Sequence, residues 1–228
     1  MAEKILITGI SGGGKSYSFR NLPPELTLFV RPTNKMPVPI KGSNKLFQPL
    51  SPDGKTGNLA TLLKPLVADK ETGEYKPVIA KLYQIAKQRG FKYIIFDDMQ
   101  YTLLGIESMF KASGEYKDAR KIYSLIKQYV MQAFHIADME ADNITSIFAW
   151  QKAKDKDDLV FPGVAFQQEI VAQGFFNVVL QADITMTEEH IFKTNGMGLC
   201  KSPADMFEGD VIPNDIVAVL KAIEEFYN

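Results

Sequence analysis

Cysteine, histidine and arginine are scarce in this sequence, and each scarcity closes off a class of chemistry. Cys200 stands alone, which excludes an internal disulfide and any cysteine-ligated zinc cluster and fits a reducing compartment. His135 and His190 are too few for a histidine-rich metal site. The four arginines, Arg20, Arg31, Arg89 and Arg120, are scattered along the chain. No apolar run approaches the ~18 residues of a membrane span. A strand-like run that already begins at Lys4 predicts the absence of a secretory signal. Neither sign of charge dominates: 26 basic residues face 27 acidic ones, so no global field advertises nucleic acid or membrane. Together these absences predict a soluble, cytoplasmic protein. Its 228 residues predict one α/β domain over 1–228.

The amino end carries the strongest signal. Lys4-Ile5-Leu6-Ile7-Thr8 reads as a buried strand. It leads into Gly9-Ile10-Ser11-Gly12-Gly13-Gly14-Lys15-Ser16, a complete G-x-x-x-x-G-K-[ST] pattern. A chance match in this length is an event of roughly one in a hundred, and a preceding strand cuts that further. Glycines let the backbone turn its N–H groups into one concavity that suits phosphate oxygens. On this reading Gly9, Ser11, Gly12, Gly13, Gly14, Lys15, Ser16 and Tyr17 line a nucleotide site. Lys15 supplies a point charge for the β/γ-phosphates and the Ser16 hydroxyl a ligand for Mg²⁺. A short helix over Ser16–Asn21 would aim its dipole at the same phosphates before Pro23-Pro24 stops it.

Downstream, Leu26–Val30 reads as a second parallel strand, followed by an irregular insertion over about 31–75. A helix over Leu59–Val67 is expected inside it, between turn-forming clusters at Ser51–Gly57 and Asp69–Gly73. Its Arg31, Lys35, Lys41, Lys45 and Lys55 read either as a solvated basic loop or as a nucleic-acid contact surface. Val78–Arg89 predicts a helix capped by Gly90. Lys92-Tyr93-Ile94-Ile95-Phe96-Asp97-Asp98 is an apolar strand ending in two acids, the second signature of a nucleotide site. Asp97 is placed to hold Mg²⁺, and Asp98 to polarise an attacking water as general base. Such acids also commonly cap the helix that follows.

Helices are expected over Gln100–Ser113 and Glu115–Glu140, divided at Gly114, the second with a wide apolar stripe. Ile144–Trp150 predicts another strand, after which Gln151 is either a γ-phosphate sensor or a surface amide. The charged stretch Lys152–Asp158 reads as a loop that would relay loss of that phosphate, and Trp150 as core or rim. A helix over Pro162–Gln173 precedes a hairpin of Phe175–Gln181 and Glu189–Thr194. Asn195–Gly198 is a turn, and an amphipathic helix over Asp215–Tyr227 closes the chain.

These features together resemble RecA-like ATPases: a P-loop at the amino end, an acid pair after an apolar strand, a polar residue after the next strand and a terminal hairpin. The wording of Gly9–Ser16, Ile94–Tyr101, Phe192–Asn195, Lys201–Phe207 and Ile212–Asp215 resembles small phage-encoded ATP-binding proteins of the AAA/RecA-like kind. Some of those are associated with single-strand annealing and recombination. The resemblance implies a mostly parallel sheet flanked by helices with a C-terminal antiparallel hairpin. It also implies ATP with Mg²⁺, self-assembly into a homo-oligomer, and action on single-stranded DNA with a single-strand-binding or annealing protein, in the host cytoplasm. By the same resemblance Lys193 and Lys201 are candidates to reach a neighbouring subunit's γ-phosphate, or else two surface lysines. One departure stands out. Such relatives carry a glutamate just after the second strand, where this chain has Arg31-Pro32-Thr33-Asn34-Lys35.

Two other classes fit the same motifs. A nucleotide kinase shares the P-loop and the size, but normally brings an arginine-rich lid. A nucleotide-dependent switch or scaffold with negligible turnover fits the missing glutamate.

Overall fold

The computed structural model describes residues 3–35, 37–68, 71, 75–114, 118–140, 143–154, 158–162, 172–195 and 199–228. Most of the helix expected over Pro162–Gln173, the start of the helix expected from Glu115, all but Asn195 of the 195–198 turn and parts of the 69–73 and 152–158 segments lie outside them.

The amino-terminal run forms β1 (Lys4–Gly9), buried along its whole length. Such a strand needs apolar cover on both faces, and its side chains divide accordingly. Leu6 joins one core cluster, while Ile5 and Ile7 join the other. The same alternation runs through β6 (Tyr93–Phe96) and β7 (Thr145–Gln151), with Phe96 and Phe148 on one face and Ile95 and Ile147 on the other. The first face is covered by α2 (Ile79–Arg89), α3 (Met99–Ser113) and α4 (Ala119–Met139). The opposite face is covered by α5 (Ile216–Tyr227), by Phe19 and Leu22, and by Val38 and Phe47 from the insertion.

Among the described residues the main sheet has eight strands in the order β10-β9-β8-β1-β7-β6-β2-β3. The strands not yet introduced are β2 (Thr27–Arg31), β3 (Leu59–Thr61), β8 (Val178–Ile184), β9 (His190–Lys193) and β10 (Val211–Pro213). The pairs from β8 across to β3 are parallel, and β9 is antiparallel to both β8 and β10. The expected parallel sheet with a C-terminal antiparallel hairpin is therefore present. A small second sheet pairs β4 (Leu66–Ala68) with β5 (Tyr75–Pro77).

Two expectations are corrected. Leu59–Val67 is not a helix but the strands β3 and β4. Pairing of Phe29 with Leu59 recruits the segment to the sheet, and Pro65 would have broken a helix there. The helix over Ser16–Asn21 shrinks to one 3₁₀ turn, Ser16–Phe19. The Ser18 hydroxyl donates back to the Lys15 carbonyl at 2.6 Å, and Pro23-Pro24 leaves no room for further turns. Within the insertion, α1 (Ser43–Leu46) is a single helical turn.

Candidate nucleotide site

The register of the sheet brings the chemistry to one edge. Gly9 lies opposite Gln151, and Thr8 opposite Gln181, so the loop after β1 leaves the carboxyl edge beside the ends of β7 and β8. The glycines at two positions are obligatory. Gly9 has φ +149°, and a Cβ there would lie 2.6 Å from the Ala182 carbonyl oxygen. Gly14 has φ +98°, and its Cβ would meet His190 Nδ1 at 2.7 Å. Within the loop the Gly13 N–H donates to the Ile10 carbonyl at 3.1 Å. Among the described residues the N–H groups of Gly12, Gly14 and Lys15 have no acceptor, as a phosphate cradle requires. The buried Lys15 ammonium donates to the carbonyls of Gly9 at 3.0 Å and Ile10 at 2.9 Å. Burial holds its pKa below the ordinary lysine value, against the pull of Asp98 and Asp97.

The acid strand meets this loop from two places away in the sheet, with β7 between. Ser16 Oγ donates to Asp97 Oδ2 at 2.9 Å, joining residues 81 positions apart, and the Asp98 N–H donates to Asp97 Oδ1 at 3.0 Å. Burial, followed by the Asp98 charge, pushes the Asp97 carboxyl up to about 7, against the Ser16 hydrogen bond and Lys15. A buried acid held at the margin of ionisation next to a hydroxyl is a donor set for a small hard cation. Mg²⁺ takes few protein ligands and completes its shell with water and phosphate oxygens. Among the described residues no cluster of three His, Cys, Asp or Glu offers a self-contained metal cage. Ser16 and Asp97 therefore fit the ion expected from the sequence.

Asp98 stands at the N-cap position of α3 without acting as a side-chain cap, its backbone left-handed at φ +53° and ψ +47°. Its carboxylate turns to the site instead. Oδ2 accepts from Lys35 Nζ at 3.1 Å, and Oδ1 accepts from Gln100 Nε2 at 3.1 Å. Gln100, buried in the first turn of α3, also donates to Gln151 Oε1 at 3.4 Å and accepts from the Gln151 N–H at 3.1 Å. Gln151 is thus tied to Asp98 through one amide, between the loop strand and the acid strand where the sequence placed it. These groups line a cavity of about 550 Å³ together with Ser11, Gly12, Gly14, Tyr17, Tyr101 and His190. A neighbouring cavity of about 620 Å³ shares Tyr17 and His190 and is walled by Arg20, Glu189 and Pro213. The Tyr17 and His190 rings lie 5.0 Å apart, with the Arg20 guanidinium 4.3 Å from the Tyr17 ring centroid. At this junction His190 Nδ1 and Asn214 Oδ1 are buried without a hydrogen-bond partner.

Lys193 and Lys201 lie on the other flank of the loop. Lys193 Nζ is 2.7 Å from Asp183 Oδ2 across the β8–β9 hairpin. Lys201 bridges to Val179 on β8, three residues before Ala182, and is exposed. Neither lines the cavity that contains Lys15, Ser16 and Asp97. His135 is exposed, and Trp150 is core, its indole donating to the Val160 carbonyl at 2.8 Å. The sequence reading did not single out Gln100, Lys35 or His190 for the site. Gln100 was detectable as a lone amide in the first turn of a helix that follows the acid pair. Lys35 and His190 gave no local signal, because tertiary structure alone brings them in.

The raised carboxyl of Asp97 sets a pH dependence of stability. A folded-state pKa of about 7 against an unfolded value near 4 means the native state holds the extra proton. The contribution of this proton to stability is fully present below about pH 4 and is lost as pH rises through 7. In metal-free buffer the melting temperature of the wild type falls between pH 5 and pH 8. Asp97→Asn flattens that slope and melts about 5 °C higher at pH 8. Parallel pH profiles in a thermal melt would contradict the assignment of a strained buried charge.

Strand order and loop define the class: a P-loop fold in the RecA-like arrangement, with one strand between the loop strand and the acid strand. No family profile and no curated protein matches the chain. Among solved structures it is similar to a KaiC-like protein from the hyperthermophilic archaeon Pyrococcus horikoshii, at 13% identity and a TM-score of 0.44. That alignment covers 84% of this chain and 78% of the other. Among the described residues no helix is long and apolar enough to cross a membrane.

Proposed function

We propose that this protein binds ATP with Mg²⁺ and hydrolyses it, as a homo-oligomer acting on single-stranded DNA in phage recombination or replication. The observation that carries the nucleotide part is the 2.9 Å contact between Ser16 and Asp97 at the foot of a glycine loop whose Gly12, Gly14 and Lys15 N–H groups are unpaired. Those amides and Lys15 receive the phosphates, and Lys15 neutralises charge that grows on them during transfer. Ser16 and Asp97 hold Mg²⁺, which neutralises phosphate charge when bound. Asp98 accepts the proton of the attacking water. Gln100 fixes the Asp98 carboxylate and passes its position to Gln151 at the end of β7. Tyr17 and His190 flank the base, in the second cavity beside the loop.

The DNA part rests on the resemblance of the sequence. Lys193 and Lys201 are the in-trans candidates, and the exposed Lys41 and Lys45 of the insertion are candidates for phosphate-backbone contact. ATPase activity and particle mass, measured together with and without single-stranded DNA, test the whole reading. DNA-stimulated phosphate release by an assembled species supports it. Rapid transfer of phosphate to a nucleoside monophosphate replaces it with a kinase. A switch with negligible turnover is the second reading, favoured by one observation: Asp98 is engaged by Lys35 in the resting site. Tight binding of ATP with no phosphate release, with or without DNA, selects it.

A further inference from the structure

Lys35 lies in the segment that follows β2, where the sheet register places it beside the acid pair. Val30 pairs with Phe96, and the Asp97 N–H donates to the Val30 carbonyl at 2.9 Å, so both strands deliver their next residues to the same edge. The Lys35 ammonium stands 3.1 Å from Asp98 Oδ2 and 4.9 Å from the Tyr101 ring centroid. It lines the same cavity as Lys15, Ser16 and Asp97. Its backbone is tethered, while its side chain crosses solvent to reach the acid. The Arg31 guanidinium donates to the Lys35 carbonyl and, at 3.3 Å, to Thr61 Oγ1 on β3, whereas the Lys35 side chain is 62% exposed.

We propose that Lys35 is a second phosphate-binding lysine, which exchanges Asp98 for the terminal phosphate of a bound nucleoside triphosphate. The inference rests on the nucleotide reading above and adds a residue to it. In the resting site Lys15 is turned onto the Gly9 and Ile10 carbonyls, and Lys35 supplies the ammonium that pairs with Asp98. A cation held by Ser16 and Asp97 adds positive charge next to that pair, and a triphosphate brings negative charge into the same cavity. Both changes favour Lys35 leaving the carboxylate for phosphate, and a flexible four-carbon stem on a fixed backbone allows it. Asp98 is thereby released from its ion pair only when a third phosphate is present. Lys35 is a positioning residue for Asp98 as well as a ligand.

Calorimetry with Mg²⁺ and either ADP or a non-hydrolysable ATP analogue tests this without turnover. Lys35→Ala weakens analogue binding about tenfold or more while ADP affinity stays within about twofold. Lys35→Arg keeps most of the preference for the analogue. Lys35→Gln behaves as the alanine variant, and the exposed side chain lets all three fold with unchanged melting temperature. Equal losses for both nucleotides, or no loss for either, overturn the inference while leaving the nucleotide reading intact. A wild-type protein that binds neither nucleotide overturns both.

Discussion

Lys15→Ala is expected to lose at least about a hundredfold in affinity for Mg²⁺-ATP while keeping its fold. The two halves of that expectation have separate physical grounds. The ammonium is buried at the mouth of the glycine loop and its partners are carbonyls, so its removal strands no opposite charge. The Gly9 carbonyl keeps the Lys152 N–H at 2.9 Å, and the Ile10 carbonyl keeps the Gly13 N–H at 3.1 Å. The melting temperature should therefore move by about 2 °C or less. Binding is another matter. Burial lowers the lysine pKa because the charged form lacks a full counter-charge in the resting site, and a phosphate supplies one. Titration calorimetry reads the affinity and a thermal melt reads the fold. Unchanged affinity in a folded variant would remove the foundation of the nucleotide assignment.

The parts of the fold legible in the sequence were those where local pattern and tertiary demand agree. β1, β6 and β7 are continuous apolar runs, because each is buried on both faces of a parallel sheet. The helices α2, α3 and α4 carry apolar stripes against one face, and the first two end on the left-handed glycines Gly90 and Gly114. Asp215 caps α5 by accepting from the Val217 N–H at 3.0 Å. Where a strand exists only because a neighbour pairs with it, the chain gave no such pattern. β3 and β10 are three residues long, and their pairing partners lie 30 and about 20 positions away. The site divides in the same way. The loop glycines, Lys15, Ser16 and the acid pair are contiguous motifs, legible as local patterns before any fold is known. Gln100 and Lys35 serve the same carboxylate from a helix turn and a distant loop, a placement visible only after folding. The resting partner of Lys15 was not readable at all, since it is the loop's own backbone.

Asp98→Asn is expected to slow ATP hydrolysis about a hundredfold or more while nucleotide affinity stays within a few-fold. Asparagine is the informative substitution because the position is left-handed, at φ +53°, a conformation that asparagine tolerates and most side chains resist. The amide oxygen can still accept from Gln100 or Lys35, so shape and the link to Gln151 persist. What disappears is a basic carboxylate able to take a proton from water. Asp97 responds in the opposite sense, because the second-largest influence raising its pKa is the neighbouring Asp98 charge. With that charge gone Asp97 ionises more readily, so metal-dependent binding should hold or tighten at neutral pH. Loss of turnover together with retained binding therefore separates a general base from a metal ligand, for which both would fall. Single-turnover phosphate release, set beside calorimetry on the same variant, makes the distinction. A wild-type rate would move the base away from Asp98. An equal collapse of rate and affinity would instead place Asp98 among the groups that hold the cation.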